Sequence, residues 1–380
     1  MNELGIENLI IGAGPAGMAV AGRMSKKGIP YQMIEQGNHP GERWHHQYDR
    51  LHLHTIKELS HLPHLSFPDD YPRYIPKDLL IKYFQQYAIT FGIKPNFNVK
   101  VLHIEQINSD WRVQTDGGIH FLCKHVILAT GANRVPVYPS WEGMSRYEGR
   151  IIHSRHYRNP EGFEGQAVLV VGMGNTGAEI ALDLAEQNIN VAISVRSPIN
   201  IVPRDVAGRP SQLTGKMLEK VPFSLGDLLG SLFRNLVVGN LNKYGLKSSP
   251  LSPAAQLRKT GKTPVIDIGT VDYIKQGKIQ IKPNIVKFTS DGVLFADGTK
   301  TSFDAVILAT GYRPMLDELL GDSSGLLNKH GVPTSAIGQG KHRGLYFVGF
   351  DQYQMGGILG TIREDSKKVV KHIAESTVAK

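Results

Sequence analysis

The sequence predicts an α/β chain made of two similar units, the second inserted into the first. Three observations predict this. A strand, glycine-rich loop, helix and second strand follow one another twice, from Ile6 and again from Ala167. The hexapeptide Val-Ile-Leu-Ala-Thr-Gly also occurs twice, at 126–131 and at 306–311. Each hexapeptide closes a set of β segments punctuated by turns, Asp116-Gly117-Gly118 in the first set and Asp291-Gly292 and Asp297-Gly298 in the second. The segments after Gly131 and Gly311 then become the crossings between the units.

Taken in order, Ile6–Ile11 is an apolar run with strand character. It leads into Gly12-Ala13-Gly14-Pro15-Ala16-Gly17. A helix follows, with Ala16, Val20 and Met24 on one face and Gly28 as its stop signal. Tyr31–Glu35 is the second strand. Residues 36–97, rich in His, Pro, Tyr and Asp, read as loops and short helices over the first unit. The second copy runs Ala167–Val171, Gly172-Met173-Gly174-Asn175-Thr176-Gly177, a helix to about Gln187, and a strand Val191–Val195. Residues 198–265 are broken by Pro, Gly and Ser and hold a helical piece around Leu225–Leu241. There Leu228, Leu232 and Leu236 share a face, expected to be a core face rather than a surface patch. The expected domains are 1–157 with 303–380, and 158–302 between them.

A Gly-x-Gly-x-x-Gly that ends a strand and opens a helix is the dinucleotide cradle of a Rossmann-like domain. The first Gly makes the turn, the second admits the pyrophosphate, the third lets helix and strand approach, and the helix N-terminus holds the negative charge. The cradle residues are Gly12, Gly14, Pro15, Ala16 and Gly17 in the first unit, and Gly172, Gly174, Asn175, Thr176 and Gly177 in the second. The end of the second strand separates the two sites. In the first it is Glu35, followed by Gln36, and a carboxylate there accepts from ribose hydroxyls. In the second the matching position is Val195, followed by Arg196 and Ser197. A guidinium fork suits a 2′-phosphate that a carboxylate would repel, so this site should prefer NADPH to NADH. Arg204 and Arg209 are candidate helpers. An N-terminal cradle with Glu, followed by an NADPH unit, is the arrangement of two-dinucleotide flavoproteins, which assigns FAD to the first site. Thr130 and Gly131, with Thr310 and Gly311, end the two closing strands and join the candidate cofactor residues.

The formal charge is +9 with a pI near 9.4, but the basic residues are scattered with no run of five or six. This field suits an anionic nucleotide or an anionic small-molecule substrate better than a nucleic acid. The single cysteine, Cys123, can form neither an intrachain disulfide nor a Cys-x-x-Cys pair. That excludes a pyridine-nucleotide–disulfide reductase, and Cys123 reads as a small buried hydrophobe. No apolar stretch is long enough to span a bilayer, and no basic leader precedes the first strand, so a cytoplasmic protein without a membrane partner is expected. His52 and His54 alternate along an extended segment. Either they approach a cofactor or substrate carboxylate, with Lys57 beside them, or they line a polar strand face. His45, His46, His61 and His64 lack the cysteine or carboxylate spacing of a metal site, and no metal is expected.

Tyr147-Glu148-Gly149-Arg150-Ile151-Ile152-His153-Ser154-Arg155-His156-Tyr157 resembles the Phe-x-Gly-x-x-x-His-x-x-x-Tyr fingerprint of single-component flavin-containing monooxygenases. Tyr147 stands for the Phe and keeps the aromatic. Tyr157, rather than Trp, is similar to the amine-, sulfide- and N-hydroxylating branch and unlike typical Baeyer–Villiger enzymes. Ala309-Thr310-Gly311-Tyr312-Arg313-Pro314 resembles the same family's Ala-Thr-Gly-Tyr motif. Asp49–His54, Thr260–Pro264, Gly344–Phe350 and Gly357–Thr361 resemble the YUCCA subgroup of indole-3-pyruvate monooxygenases. The resemblance implies FAD and NADPH as cofactors and insertion of one atom of O2, through a C4a-(hydro)peroxyflavin, into a small organic substrate. That substrate is a 2-oxo acid such as indole-3-pyruvate, losing CO2, or a soft amine or sulfide. It also implies that Arg43 and Trp44 lie against FAD, that His54 and Lys57 lie on the substrate or flavin side, and that His153 and Tyr157 link the domains. A helix opening at Gln354–Gly357 would face the flavin. An NADPH-dependent flavin reductase or oxidase passing electrons to O2 or a partner stays open as the alternative.

Overall fold

The computed structural model describes residues 2–218, 222–350 and 357–378. The chain forms two compact units, one of 1–45, 55–135 and 312–380, the other of 46–54 and 136–311.

The first unit opens with β1 (Asn2–Ile11), whose Leu9 and Ile10 are fully buried. A strand end covered on both faces needs no polar alternation, hence the apolar Leu9-Ile10-Ile11. Helix α1 (Pro15–Lys27) follows, with Pro in its first turn where a missing amide hydrogen costs nothing. Ala16, Val20 and Met24 form its inner face. Gly28, at φ 66°, ends it, and the Ile29 amide donates back to the Met24 carbonyl. Strand β2 (Gln32–Ile34) pairs parallel with β1, Ile34 opposite Ile11.

The stretch expected to hold short helices contains one of 14 residues, α2 (Lys77–Thr90). Leu80, Tyr83, Phe84 and Tyr87 recur along it at helical spacing and are buried. The Tyr87 ring fills the space over Gly22 of α1, where a Cβ would lie 2.2 Å from its hydroxyl. Strands β3 (Val101–Ile107) and β4 (Asp110–Thr115) form a meander that runs into β5 (Ile119–Leu128). The first half of β5 pairs antiparallel with β4, and β1 runs parallel along its other side.

In the second unit β6 (Arg150–His153) and β7 (Ala167–Val171) precede α3 (Asn175–Glu186) and β8 (Asn190–Ser194). Helices α4 (Phe223–Val238) and α5 (Pro253–Thr260) come next, then β9 (Ile279–Lys282). A meander of β10 (Ile285–Phe288), β11 (Gly292–Phe295) and β12 (Lys300–Ser302) ends in β13 (Ala305–Leu308). The main sheet has the order β9-β8-β7-β13-β6 and every pairing in it is parallel. Its core is aliphatic, with Val168, Val170, Ile180, Leu184 and Ile193 at most 1% exposed. The chain then returns to the first unit with β14 (Leu345–Phe347), parallel to the second half of β5, and α6 (Gly357–Val378). Arg23 of α1 donates to the Ser366 hydroxyl and the Arg363 carbonyl of α6.

Two expectations change. The expected boundaries at 157/158 and 302/303 put β6 and β13 in the first domain, whereas both belong to the second sheet. The closing strand must lie beside the strand carrying the glycine loop, and the Ala309 amide donates to the Val171 carbonyl there. The crossings fall just after the two hexapeptides, as the repeat implies. The leucines of α4 are not core, for Leu228, Leu232 and Leu236 are 57%, 57% and 85% exposed. Residue spacing shows which side chains share a helix face but not which face turns inward.

Candidate functional site

The two glycine loops have the same construction, each within its own unit. Gly12 and Gly172 adopt φ +105° and +103°, and a Cβ on either would lie 2.6 and 2.7 Å from the carbonyl oxygens of Ala129 and Ala309. Both positions therefore require glycine twice over, by backbone angle and by close approach. The Gly12 amide donates to the Ile34 carbonyl at 2.8 Å, and the Gly172 amide to the Ser194 carbonyl at 3.0 Å. Hence Glu35 and Val195 occupy matching positions. A Cβ on Gly17 or Gly177 would lie 1.9 or 2.0 Å from the carbonyl oxygen of Gly12 or Gly172. Those two glycines let the helix settle onto the loop.

The middle glycines differ. Gly14 and Gly174 have φ −74° and −90°, open to any residue, and a Cβ on either would meet nothing within 4 Å. Among the described residues no protein atom accounts for glycine there. The space is open, and the N-terminal end of a helix suits a phosphate. Pro15, Ala16, Asn175 and Thr176 open the two helices. The Asn175 amide oxygen accepts from the Ile266 amide at 2.7 Å, so this side chain braces a neighbouring strand.

Glu35 is 9% exposed, with Oε2 accepting from the Ala13 amide at 2.7 Å and Oε1 from the Gly37 amide at 2.8 Å. It ties the strand end to the loop, and each oxygen keeps a further lone pair for a ribose hydroxyl. Gln36 is exposed. Arg43 donates to the Tyr312 hydroxyl at 3.0 Å and lies 5.3 Å from that ring's centre. Trp44 packs edge-on against Phe84. The Thr130 hydroxyl is buried without a partner among the described residues, and Gly131 follows at φ +83°. In the second unit Thr310 donates to the Val137 carbonyl, and Gly311 follows at φ +84°. Arg196 and Ser197 are exposed beyond the end of β8, and Arg196 holds no partner among the described residues. Arg204 lies against Asp205, and Arg209 against the Met217 sulfur.

The candidate catalytic residues part company. His52 is exposed, while His54 Nε2 lies 2.7 Å from Glu179 Oε1 of α3. The Lys57 ammonium donates to the carbonyls of Asp69 and Tyr71, both at 2.8 Å, and so fastens a loop. Glu179 is only 1% exposed, and Tyr48, 3% exposed, hydrogen-bonds to it. His54 Nε2 and Glu179 Oε1 thus stand in contact at 2.7 Å, without the alignment of a hydrogen bond between them. The other ring nitrogen, Nδ1, is buried without a partner among the described residues. Arg50 bonds Asp183 and Glu186 of the same helix, and the Tyr157 hydroxyl donates to Asp183 at 2.7 Å. Burial raises the Tyr48 phenol well above its ordinary value, and Glu179 adds to this. Burial also raises Tyr157 and Asp183. Segment 46–54 is thus a strap on α3, built from a buried carboxylate and its donors. Sequence reasoning found Tyr157 and His54 but missed Tyr48, Glu179 and Asp183. Glu179 and Asp183, one helical turn apart on an otherwise apolar helix face, were the available signal. The proposed flavin-facing helix start at 354–356 lies outside the described residues, and α6 is described from Gly357.

Two sheets, the first mixed and the second wholly parallel, each with a glycine loop whose middle position stands open, define a protein of the class that carries two Rossmann-type folds in one chain. The family model described as flavin-binding monooxygenase-like matches residues 9–328. The chain belongs to that family, and it is a flavin-dependent monooxygenase. It is 36% identical over 372 residues to indole-3-pyruvate monooxygenase YUCCA1 of Oryza sativa subsp. japonica, covering 96% of this chain and 90% of that one. It is 38% identical over 360 residues to probable indole-3-pyruvate monooxygenase YUCCA9 of Arabidopsis thaliana, covering 92% and 85%. Among solved structures, the flavin-containing monooxygenase of Stenotrophomonas maltophilia superposes with a TM-score of 0.75 at 21% identity, over 99% of this chain and all of that one. That likeness supports the fold.

Proposed function

We propose that the chain is an FAD-containing, NADPH-dependent monooxygenase that converts a small 2-oxo acid of the indole-3-pyruvate type to the acid one carbon shorter. The observation that carries the cofactor assignment is the pair of open middle glycines, Gly14 and Gly174, flanked by strand ends of opposite chemistry. Gly12, Gly14, Pro15, Ala16 and Gly17 would hold the FAD pyrophosphate, with Glu35 on the ribose and Thr130, Gly131, Arg43 and Trp44 alongside. Gly172, Gly174, Asn175, Thr176 and Gly177 would hold the NADPH pyrophosphate, with Arg196 and Ser197 on the 2′-phosphate and Thr310 and Gly311 near by. Arg196 provides a fork of donors matched to a phosphate dianion. Bound flavin supplies the passage of electrons from nicotinamide to O2, which amino-acid side chains lack. The chain's own part is to bind, orient and keep water out.

The substrate reading rests on the relatives' names, at 36–38% identity over more than nine-tenths of this chain. The reaction balances as 2-oxo acid, O2, NADPH and a proton giving the shortened acid, CO2, water and NADP+. One oxygen atom enters the acid and the other leaves as water. His54, with one ring nitrogen on Glu179, offers Nδ1 to a bound ligand.

The test incubates the FAD-loaded protein with NADPH and indole-3-pyruvate in air, and measures indole-3-acetate and hydrogen peroxide against NADPH consumed. One acid per NADPH is expected, with little peroxide. Peroxide equal to NADPH, with the keto acid untouched, would make the protein an oxidase. Oxygenation of thioethers or amines, but not of the keto acid, would move it to the other substrate class.

A further inference from the structure

Helix α4 is built inside out. Its inward side carries Gly226, Asp227, Gly230, Ser231, Arg234 and Val238, all buried or half-buried. Arg234 donates to the Asn200 side chain and the Ser249 carbonyl, and Asp227 pairs with Arg258 of α5 at 2.7 Å. Its outward side carries Leu225, Leu228, Leu229, Leu232 and Leu236, exposed by 41–85%. These fall at steps of three and four residues along a helix of 16, a continuous apolar stripe about 17 Å long. An ordinary surface helix does the reverse, and an exposed apolar stripe of this length marks an interaction surface.

The stretch of sequence that holds it carries most of the chain's net charge. Between Arg209 and Lys262 stand nine Lys and Arg against two Asp and Glu, a net +7 in a chain whose total is +9. Lys243, Lys247, Lys259 and Lys262 are exposed on the segments that follow α4. Two copies meeting face to face would bring these charges together, which argues against a self-interface. A surface that is apolar beneath and anionic on top answers both features, and a bilayer with acidic headgroups is one. Among the described residues no helix is long and apolar enough to cross a membrane, so the contact would be interfacial.

We propose that α4 and the basic segments beside it dock this enzyme, peripherally and reversibly, onto anionic lipid surfaces. The face would place the second unit where apolar substrates partition.

The experiment sediments the full-length protein with vesicles of phosphatidylcholine alone or mixed with phosphatidylglycerol. Co-sedimentation is expected only with the mixed vesicles, weakening as salt is added. The triple variant Leu228→Gln, Leu232→Gln, Leu236→Gln should lose it while keeping the parent's circular dichroism, because these side chains support no core. Lys243→Gln, Lys247→Gln and Lys259→Gln should each weaken binding about fivefold. Failure to bind mixed vesicles would overturn the proposal, as would equal binding to neutral ones or full binding by the leucine variant. So would a dimer in sedimentation velocity that the leucine variant abolishes, since the stripe would then belong to a second copy.

Discussion

Gly14 and Gly17 stand three residues apart, and an alanine at each should fail in a different way. At Gly17 the new methyl lies 1.9 Å from the Gly12 carbonyl oxygen, so helix and loop must part. Gly17→Ala should lower stability by about 3 kcal/mol, read as a fall in the thermal midpoint of the ligand-free protein. At Gly14 the methyl meets no atom of the described residues and the backbone angle is ordinary. Gly14→Ala should therefore melt like the parent and bind FAD at least tenfold more weakly. An unchanged FAD affinity would remove the first cradle from the cofactor account. In the second unit, Arg196→Ala forgoes charge-assisted bonds worth about 1.5–3 kcal/mol. The Michaelis constant for NADPH should rise tenfold or more and that for NADH hardly move. Equal effects on both would sink the 2′-phosphate assignment. All these positions were legible in the sequence, because a tight loop between strand and helix dictates its glycines locally.

Among elements, the strap over α3 was only half legible. Tyr157 was marked by the motif it belongs to, and His54 by its alternation, but their partners Asp183 and Glu179 lie in another segment. No local rule pairs residue 54 with 179. Tyr157→Phe removes the donor at 2.7 Å from Asp183 and should cost about 1–3 kcal/mol. The sign of its pH dependence follows from Asp183. Burial, the largest influence, raises this carboxyl's folded value above the unfolded one, while Tyr157 and Arg50 act the other way. The folded state thus holds the proton more tightly, and that contribution is full below the ordinary carboxylate value and lost as pH rises through the folded value. Without the Tyr157 hydroxyl the gap widens, so the variant should lose more stability at neutral than at acid pH. Thermal melts across pH measure this, and a loss independent of pH would mean that the hydroxyl acts through packing alone. The leucine stripe of α4 shows the opposite failure of reading. Its periodicity was plain, but Arg234 and Asp227 decide which way it turns, and their partners Asn200, Ser249 and Arg258 are tertiary.

At the scale of the molecule, Cys123 reports on the first unit alone. It is fully buried within β5, and burial pushes its thiol up to about 12. An alkylating reagent near neutral pH should reach it only when that unit opens. FAD should slow this labelling, by about a hundredfold at a hundred times its dissociation constant, while NADP+ should slow it far less. The converse pattern would exchange the two nucleotide assignments. The two-unit plan was readable because duplicated motifs announce themselves, whereas its borders depended on which sheet received β6 and β13. The strap has one more bearing, on dissection. Residues 46–54 precede the insertion in the chain yet wrap a helix belonging to it. A fragment cut as 136–311 would expose Glu179 and Asp183 stripped of Tyr48, Arg50 and His54. Whoever wishes to graft or express the second unit by itself must therefore carry over a nine-residue piece of its host, or redesign the helix that the piece covers.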